Sequence, residues 1–357
     1  MAQPRALLAG SGIAVPPRRI DNHALSRVMD TSDEWVQERS GIVTRCYVEA
    51  GVTSADLGAE AARAALGDAG MQPSEIDYIV CATMTPDHYF PGAATLIQDR
   101  LGIAPLPALD IRQQCAGFAY GMQLVDALVR SGLARNVLLV GTDVHTCLMP
   151  FSERTWRVIH GEEEGPLSAE EFAHNSGYRN LVVLFGDGAG AMVFRAHEAG
   201  DGRGILGSRL YGEGAEKEIL YVPAGGSRHR PYVTPELVAA GAMVPVMEGR
   251  AVFKHAVSRM PEVTRAILAE HGYGLDDLDL LVMHQANLRI NEAARKALDM
   301  PEERVYNNIQ RYGNTTSATL PLAFHEAREE GRAPEGALVA FTALGAGLHW
   351  GSVLMRV

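Results

Sequence analysis

The sequence predicts an α/β protein of two related halves with mixed sheets. Three observations carry this. Apolar strand-like runs alternate with helical stretches along the whole chain. Apolar runs lead into turns and helix starts at Cys115, His284 and Asn314. Each half closes on a glycine turn between two strands, at Phe185-Gly186-Asp187-Gly188-Ala189-Gly190-Ala191 and at Gly345-Ala346-Gly347. The halves divide as 1–198 and 199–357.

In the first half, Leu7 to Val15 reads as a strand that Pro16-Pro17 ends. Thr31-Ser32-Asp33-Glu34-Trp35 supplies a hydroxyl cap and first-turn acids to a helix that ends at Gly41-Ile42. Ala55 to Leu66 is Ala-rich and helical, closed by Gly67 and Gly70. Ile76 to Cys81 is a strand, Met84 to Gly92 a loop carrying Phe90, and Ala93 to Leu101 a helix. Leu106 to Ile111 is a strand. After Cys115 a helix runs through Leu124, Leu128 and Val129 to Ser131-Gly132. Val137 to Val140 is a strand. A long connection, 151–180, then holds Trp156, the acidic run Glu162 to Glu164 and a helical Ser168 to Phe172. Leu181 to Phe185 reads as a strand, followed by the glycine turn and a second strand to Phe194. No G-x-x-x-x-G-K-[ST] pattern occurs and a strand follows the glycines, which excludes a phosphate loop.

In the second half, Ile205 to Gly214 reads as a strand and its turn. The stretch 224–246 holds Arg228-His229-Arg230-Pro231 and apolar residues from Leu237 to Val246. Glu248 to Leu268 is a long helix that Pro261 kinks or re-caps. Leu278 to Met283 is a strand delivering His284, and Ile290 to Leu298 a helix. Val305 to Ile309 leads to Gly313-Asn314, and Ala318 to Arg328 is helical with Pro321 in an early turn. Leu338 to Leu344 and Trp350 to Met355 are the closing strands. No short-period repeat is present.

Composition excludes several classes. At 357 residues, 47% apolar and 21% charged, the chain suits a soluble globular protein. No apolar run approaches the ~20 residues of a spanning helix, and the first residues lack a signal-peptide core. Four cysteines without CxxC spacing argue against a disulfide framework or a zinc ribbon. A reduced, cytoplasmic setting is therefore expected. A net charge of −11 disfavours nucleic acid and makes any local basic cluster informative.

Chemistry concentrates at Asp110-Ile111-Arg112-Gln113-Gln114-Cys115-Ala116-Gly117-Phe118. A Cys at a helix N-terminus meets unpaired N–H groups that favour its thiolate. A lone Cys is more often a small core residue, a lone His structural, and an Asn after Gly a turn residue. Three such residues at strand-to-helix junctions, able to meet at one sheet edge, read differently.

From Thr31-Ser32-Asp33-Glu34-Trp35 to Trp350-Gly351-Ser352, the chain resembles the 3-oxoacyl-[acyl-carrier-protein] synthase III family of thiolase-fold condensing enzymes. The resemblance rests on Cys115-Ala116-Gly117-Phe118, the Phe185 glycine segment, His284-Gln285-Ala286-Asn287-Leu288-Arg289-Ile290 and Gly313-Asn314-Thr315, in this order. It implies a five-layer αβαβα fold of the two halves and a homodimer. It implies decarboxylative Claisen condensation: an acyl-CoA primer, held as a thioester on Cys115, condenses with malonyl-acyl-carrier protein to 3-oxoacyl-acyl-carrier protein. His284 and Asn314 would donate to the thioester carbonyl while the malonyl group loses carbon dioxide. Backbone N–H groups of Cys115 and Ala346 would form the oxyanion hole, Ala346 standing where the family usually has Gly. No cofactor and no metal is implied; coenzyme A enters as a thioester substrate.

The family's coenzyme A contacts fall on Trp35, Arg39, Asn287 and Arg289. Its adenine-facing arginine is Arg154 counting forward from Asp143, or Arg179 counting back from Phe185. The counterpart of Phe90 reaches the other subunit's acyl pocket. Carrier-protein contacts match Lys254, Arg289 and Lys296, with Arg295 beside them. Besides Ala346, two features depart from the pattern. Arg112-Gln113-Gln114 replaces small residues and alters the pocket wall. The stretches 151–180 and 224–246 are extra, the latter either covering the tunnel mouth or thickening the dimer contact. A specialised relative is the alternative, condensing two acyl-CoAs without decarboxylation or passing the acyl group to a small acceptor. It would need a carboxylate near Cys115 as base. A non-catalytic dimeric binding module is the third reading, against which the intact Cys, His and Asn stand.

Overall fold

In the computed structural model, residues 3–198 and 200–357 are described. Ala199, the expected start of the second half, lies outside the described residues. Strands Arg5–Ala14, Tyr78–Ala82, Ala108–Ile111, Asn136–Asp143 and Gly188–His197 form one sheet, in the spatial order first, fifth, fourth, second, third. Gly204–Gly212, Leu280–Met283, Val305–Tyr306, Leu338–Gly345 and His349–Arg356 form a second sheet in the same order. In both, the fourth–second and second–third pairs are parallel and the other two antiparallel. The sheets are therefore mixed.

Strand alternation builds the layers. Leu139 and Phe194 of the first sheet, and Val282 and Phe341 of the second, point into one cluster. Phe118 and Met122 of helix Gly117–Arg130, with Leu320 and Phe324 of helix Thr319–Glu329, fill it. Leu138 and Val140 face the opposite way, onto Ala61, Ala65 and Ile97 of helices Ser54–Ala69 and Ala93–Arg100. Leu281 and Met283 likewise meet Met260, Ile267 and Ile290 of helices Gly249–Glu270 and Leu288–Leu298. The order is helix, sheet, helix, sheet, helix. Each buried Leu or Phe contributes about 1.5–3 kcal/mol, so the shared central cluster fastens the sheets together.

The repeat extends to the turns that matter. Strand Ala108–Ile111 leads to the 3-10 turn Gln114–Ala116 and the first central helix. Strand Val305–Tyr306 leads, through a short helix, to the turn Thr316–Ala318 and the second. The residue opening each turn has a positive φ, 44° at Gln114 and 50° at Thr316. A left-handed β-branched residue is costly, and such strain persists only where the surroundings fix it. Asp143 helps to fix the second turn: its buried carboxylate accepts from Thr83 Oγ1, Met84 N, Thr85 N and Oγ1, Ser317 N and Ser317 Oγ. One carboxylate thus ties the two halves together beside Cys115.

One expected strand is absent, and three looser readings are sharpened. Leu181 to Phe185 is not a strand; Arg179–Val182 is a short helix, and only Phe185 makes a bridge, to Asn314. Val182 and Val183 bury against Leu25, Val28 and Met29 instead of a sheet, a distinction that a short apolar run does not encode. Pro261 does not re-cap a helix, because one helix runs over Gly249–Glu270 with it inside. Stretch 151–180 forms helices Glu153–Ile159 and Ala169–Gly177, whose Trp156 and Phe172 pack beside Val36 and Tyr47. Stretch 224–246 covers the cavity described next. Among the described residues no helix is long and apolar enough to cross a membrane.

Candidate active site

Cys115 is the middle residue of its 3-10 turn, 7% exposed, directly before the first central helix. The end of strand Leu338–Gly345 packs on its backbone. A Cβ on Gly345 would stand 2.9 Å from both Cys115 Cβ and Cys115 N, so only glycine permits the approach. That approach brings the next residue to the sulfur: the N–H groups of Cys115 and Ala346 both hydrogen-bond the thiol and pull its pKa down. Ala346 is not among the positive-φ residues, so its Cβ introduces no strain. The thiolate expected from the helix start is nevertheless not the resting form. Burial, reinforced by Asp143, outweighs those N–H groups and pushes the thiol up to about 12.

His284 leaves the end of strand Leu280–Met283, its N–H bonded to Thr342 O at 2.9 Å. It is 2% exposed. Burial, and then His145, push its pKa down to about 3, so the imidazole is neutral. Its Nδ1 lies 2.7 Å from Thr319 Oγ1. Asn314 is pinned across the halves, donating to Leu184 O at 2.8 Å and accepting from Gly186 N at 3.1 Å. Its Oδ1 accepts from Thr316 N at 2.9 Å, which turns the amide N–H₂ away. Thr316 and Thr319, one helical turn apart, thus hold Asn314 and His284 as one unit.

A cavity of about 900 Å³ opens on Cys115, Gln114, His145, Phe185, Thr316 and Ala346. Residues 224–228 and Tyr232 form part of its wall, so the extra stretch reaches the cavity as the first of its two expected placements has it. His145 was not legible as a site residue. It follows an ordinary strand end, and only the fold places it here. Its ring stacks on Phe185, centroids 4.2 Å apart, beside Thr316 Oγ1 at 3.2 Å. Burial takes it down to about 4. Asp187 anchors the turn that carries it, accepting from Val48 N and from Thr146 N and Oγ1. Burial still raises Asp187 to about 6.

The coenzyme A candidates form a separate group on the surface. Arg39 and Arg179 flank the Trp35 ring, at 4.4 and 5.0 Å from its centroid. Arg154 is elsewhere, bonded to Glu163 at 2.8 Å and Pro166 O at 3.1 Å. Of the two arginines, Arg179 stands at the indole. Asn287 caps the helix carrying Arg289 and donates to Arg39 O at 2.9 Å. Lys254, Arg289 and Lys296 are exposed on two helices that pack together, and among the described residues none makes an ion pair. Arg295 is held by Glu292 at 3.0 Å and by Met300 O, so it is not a free cation. Phe90 is 79% exposed, while its neighbour Tyr89 lines the Cys115 cavity.

Two family models match the chain: 3-oxoacyl-[acyl-carrier-protein (ACP)] synthase III over residues 109–162, and the C-terminal part of the same enzyme over residues 268–357. The beta-ketoacyl-[acyl-carrier-protein] synthase III of Sphingopyxis alaskensis is 39% identical over 99% of both chains. The chain belongs to the 3-oxoacyl-[acyl-carrier-protein] synthase III family. The Allorhizobium ampelinum synthase III is 40% identical, again over 99% of each chain. The crystal structure of the Aquifex aeolicus synthase III shares 36% identity and superimposes with a TM-score of 0.83, covering 99% of this chain and 100% of that one. The five layers are thus the family's thiolase fold. In this synthase III family member, Arg112, Gln114 and His145 join Cys115 on the cavity wall.

Proposed function

We propose that this protein is an acyltransferase that makes a carbon–carbon bond by decarboxylative condensation. An acyl-CoA primer is held on Cys115 and malonyl-acyl-carrier protein extends it to 3-oxoacyl-acyl-carrier protein. The observation that carries this is the pairing of a buried thiol, met by the N–H groups of Cys115 and Ala346, with a neutral His284 and an oriented Asn314 amide.

In this reading Cys115 Sγ attacks the primer carbonyl and coenzyme A leaves as its thiol, carrying the proton. The two N–H groups hold the tetrahedral oxyanion. Malonyl thioester then replaces coenzyme A. The Thr319 hydroxyl reaches both Thr316 O at 2.8 Å and His284 Nδ1 at 2.7 Å; in this reading it turns its proton to Nδ1, and the ring hydrogen sits on Nε2. Nε2–H and the Asn314 amide donate to the malonyl thioester carbonyl as carbon dioxide leaves, and the resulting carbanion attacks the Cys115 thioester. No added base is needed. The non-decarboxylating alternative needs one, and among the described residues no Asp or Glu lines the cavity. Asp143 acts on the thiol, but its oxygens already accept six hydrogen bonds.

The Arg39–Trp35–Arg179 group, with Asn287 and Arg289 beside it, takes the coenzyme A nucleotide by stacking and by phosphate contacts. Arg179→Ala is expected to raise KM for acyl-CoA about tenfold. Loading from a truncated pantetheine thioester should stay within about twofold of wild type. Equal KM values for wild type and variant would remove this site.

The carrier protein docks on Lys254, Arg289 and Lys296. Reversing charge with Arg289→Glu and Lys296→Glu should raise KM for malonyl-acyl-carrier protein far more than KM for acyl-CoA. Added salt should slow the wild type, since screening acts over roughly 10 Å at ~0.1 M. Unchanged kinetics with the carrier substrate would sink this face. The chain divides at 198/199, works as a homodimer in which exposed Phe90 enters the partner's acyl cavity, and occupies a reduced, cytoplasmic setting. Its four cysteines are free thiols.

A further inference from the structure

The cavity that opens on Cys115 is charged in one sense only. Arg112, Lys217 and Arg228 line it, and among the described residues no Asp or Glu does. The chain as a whole carries a net −11, so this bias runs against the background. Among the described residues Arg112 and Arg228 have no ion-pair partner, and Lys217 meets only its neighbour Glu218, at 3.9 Å. Most of the remaining wall is apolar, which suits methylenes, while Gln114, Thr85 and His145 add polar groups to it.

We infer that the primer is an acyl-CoA whose chain ends in a carboxylate, a half-thioester of a dicarboxylic acid, with Arg112 and Arg228 holding that carboxylate. The inference rests on the loading of Cys115 under the proposed function and names the substrate class for it. A guanidinium presents a planar fork that meets a carboxylate bidentately, which an alkyl terminus cannot use. The cations serve the far end of the acyl group and not the thiol. The thiol's pKa is set by burial, Asp143 and two backbone N–H groups, with no cation among the causes.

Both cations come from segments that mark this chain. Arg112 belongs to the Arg112-Gln113-Gln114 run before the nucleophile, and Arg228 to the stretch 224–246 folded over the cavity. Stacking of Tyr232 on Tyr89, centroids 5.7 Å apart, fastens that stretch to the loop across the cavity. At about 900 Å³ the space accommodates a chain of several methylenes together with its terminal carboxylate. Loading leaves that carboxylate unchanged. The Cys115 Sγ–acyl bond forms, the coenzyme A thioester bond breaks, and the thiol proton leaves with coenzyme A.

The test compares matched primers, adipyl-CoA against hexanoyl-CoA and suberyl-CoA against octanoyl-CoA, by intact-protein mass spectrometry of the acylated full-length protein. Wild type should load the half-acid with a kcat/KM about tenfold or more above its neutral partner, the worth of one charge-assisted contact. In Arg112→Gln/Arg228→Gln that ratio should fall about tenfold. Because the readout is a ratio within one protein, a general loss of loading cancels, and a thermal melt of the variant confirms that it folds. A wild type that loads the neutral chain as fast as the half-acid, or a ratio untouched by the double substitution, overturns the inference and leaves the condensing function standing. Failure of every acyl-CoA to load Cys115 removes both.

Discussion

Cys115→Ala should leave no acyl adduct on incubation with acyl-CoA, and condensation should fall by about 10⁴-fold or more, the usual scale for deleting a covalent nucleophile. Attack and condensation are separate steps, so acyl-CoA without a malonyl donor should leave the wild type stably acylated. Peptide mapping is needed, because Cys147 lines the same cavity. An adduct that persists in Cys115→Ala, or that maps to Cys147, removes Cys115 from the mechanism. The buried resting thiol makes one further demand. With its pKa pushed up to about 12, Cys115 should be modified slowly by general alkylating agents and acylated fast only by thioesters that place a carbonyl oxygen against the Cys115 and Ala346 N–H groups.

The second large effect separates the two chemical steps. His284→Ala is expected to keep acylation of Cys115 within about threefold, while carbon dioxide release from malonyl-acyl-carrier protein falls about 10²–10³-fold, as for loss of a preorganised donor. Asn314→Ala should act in the same sense. Thr319→Val should lower decarboxylation with loading unchanged, because it removes the hydroxyl that lies 2.7 Å from His284 Nδ1 and orients the ring. The pH dependence follows from the buried ring. Burial holds His284 neutral down to about 3, so protonation at the ordinary histidine pKa near 6.5 does not occur. As pH falls from 8 to 5, any inflection in wild-type decarboxylation should come from Asp187, raised to about 6, and should vanish in Asp187→Asn, leaving none from His284. Abolished acylation with intact decarboxylation in His284→Ala would reverse the assignment.

Much of this was legible because the chain announces its junctions. Cys115, His284 and Asn314 each sit in a run where an apolar segment meets a turn and a helix, and periodicity marks such places. The closing glycines were legible for the same reason, although what Gly345 does emerges only when Cys115 packs against it. The rest depends on contacts between residues far apart in the chain. Nothing local marks His145, Asp143 or Thr319, each of which acts through a partner beyond its own segment. Arg154 and Arg179 were equivalent in sequence, and only the fold of 151–180 takes one to Trp35. Leu181 to Phe185 looked like a strand because burial, not pairing, made it apolar. Cys115 shows the converse limit. A helix start favours a thiolate, but the balance reversed once the depth of burial was fixed.

The most direct test of the account is product analysis with purified protein, a series of acyl-CoAs, and malonyl-acyl-carrier protein either present or withheld. The account predicts 3-oxoacyl-acyl-carrier protein with one carbon dioxide released per condensation, and only an acylated Cys115 when the malonyl donor is withheld. A carbon–carbon bond formed between two acyl-CoAs without malonyl donor, or transfer of the acyl group from Cys115 to a non-malonyl acceptor, would contradict it.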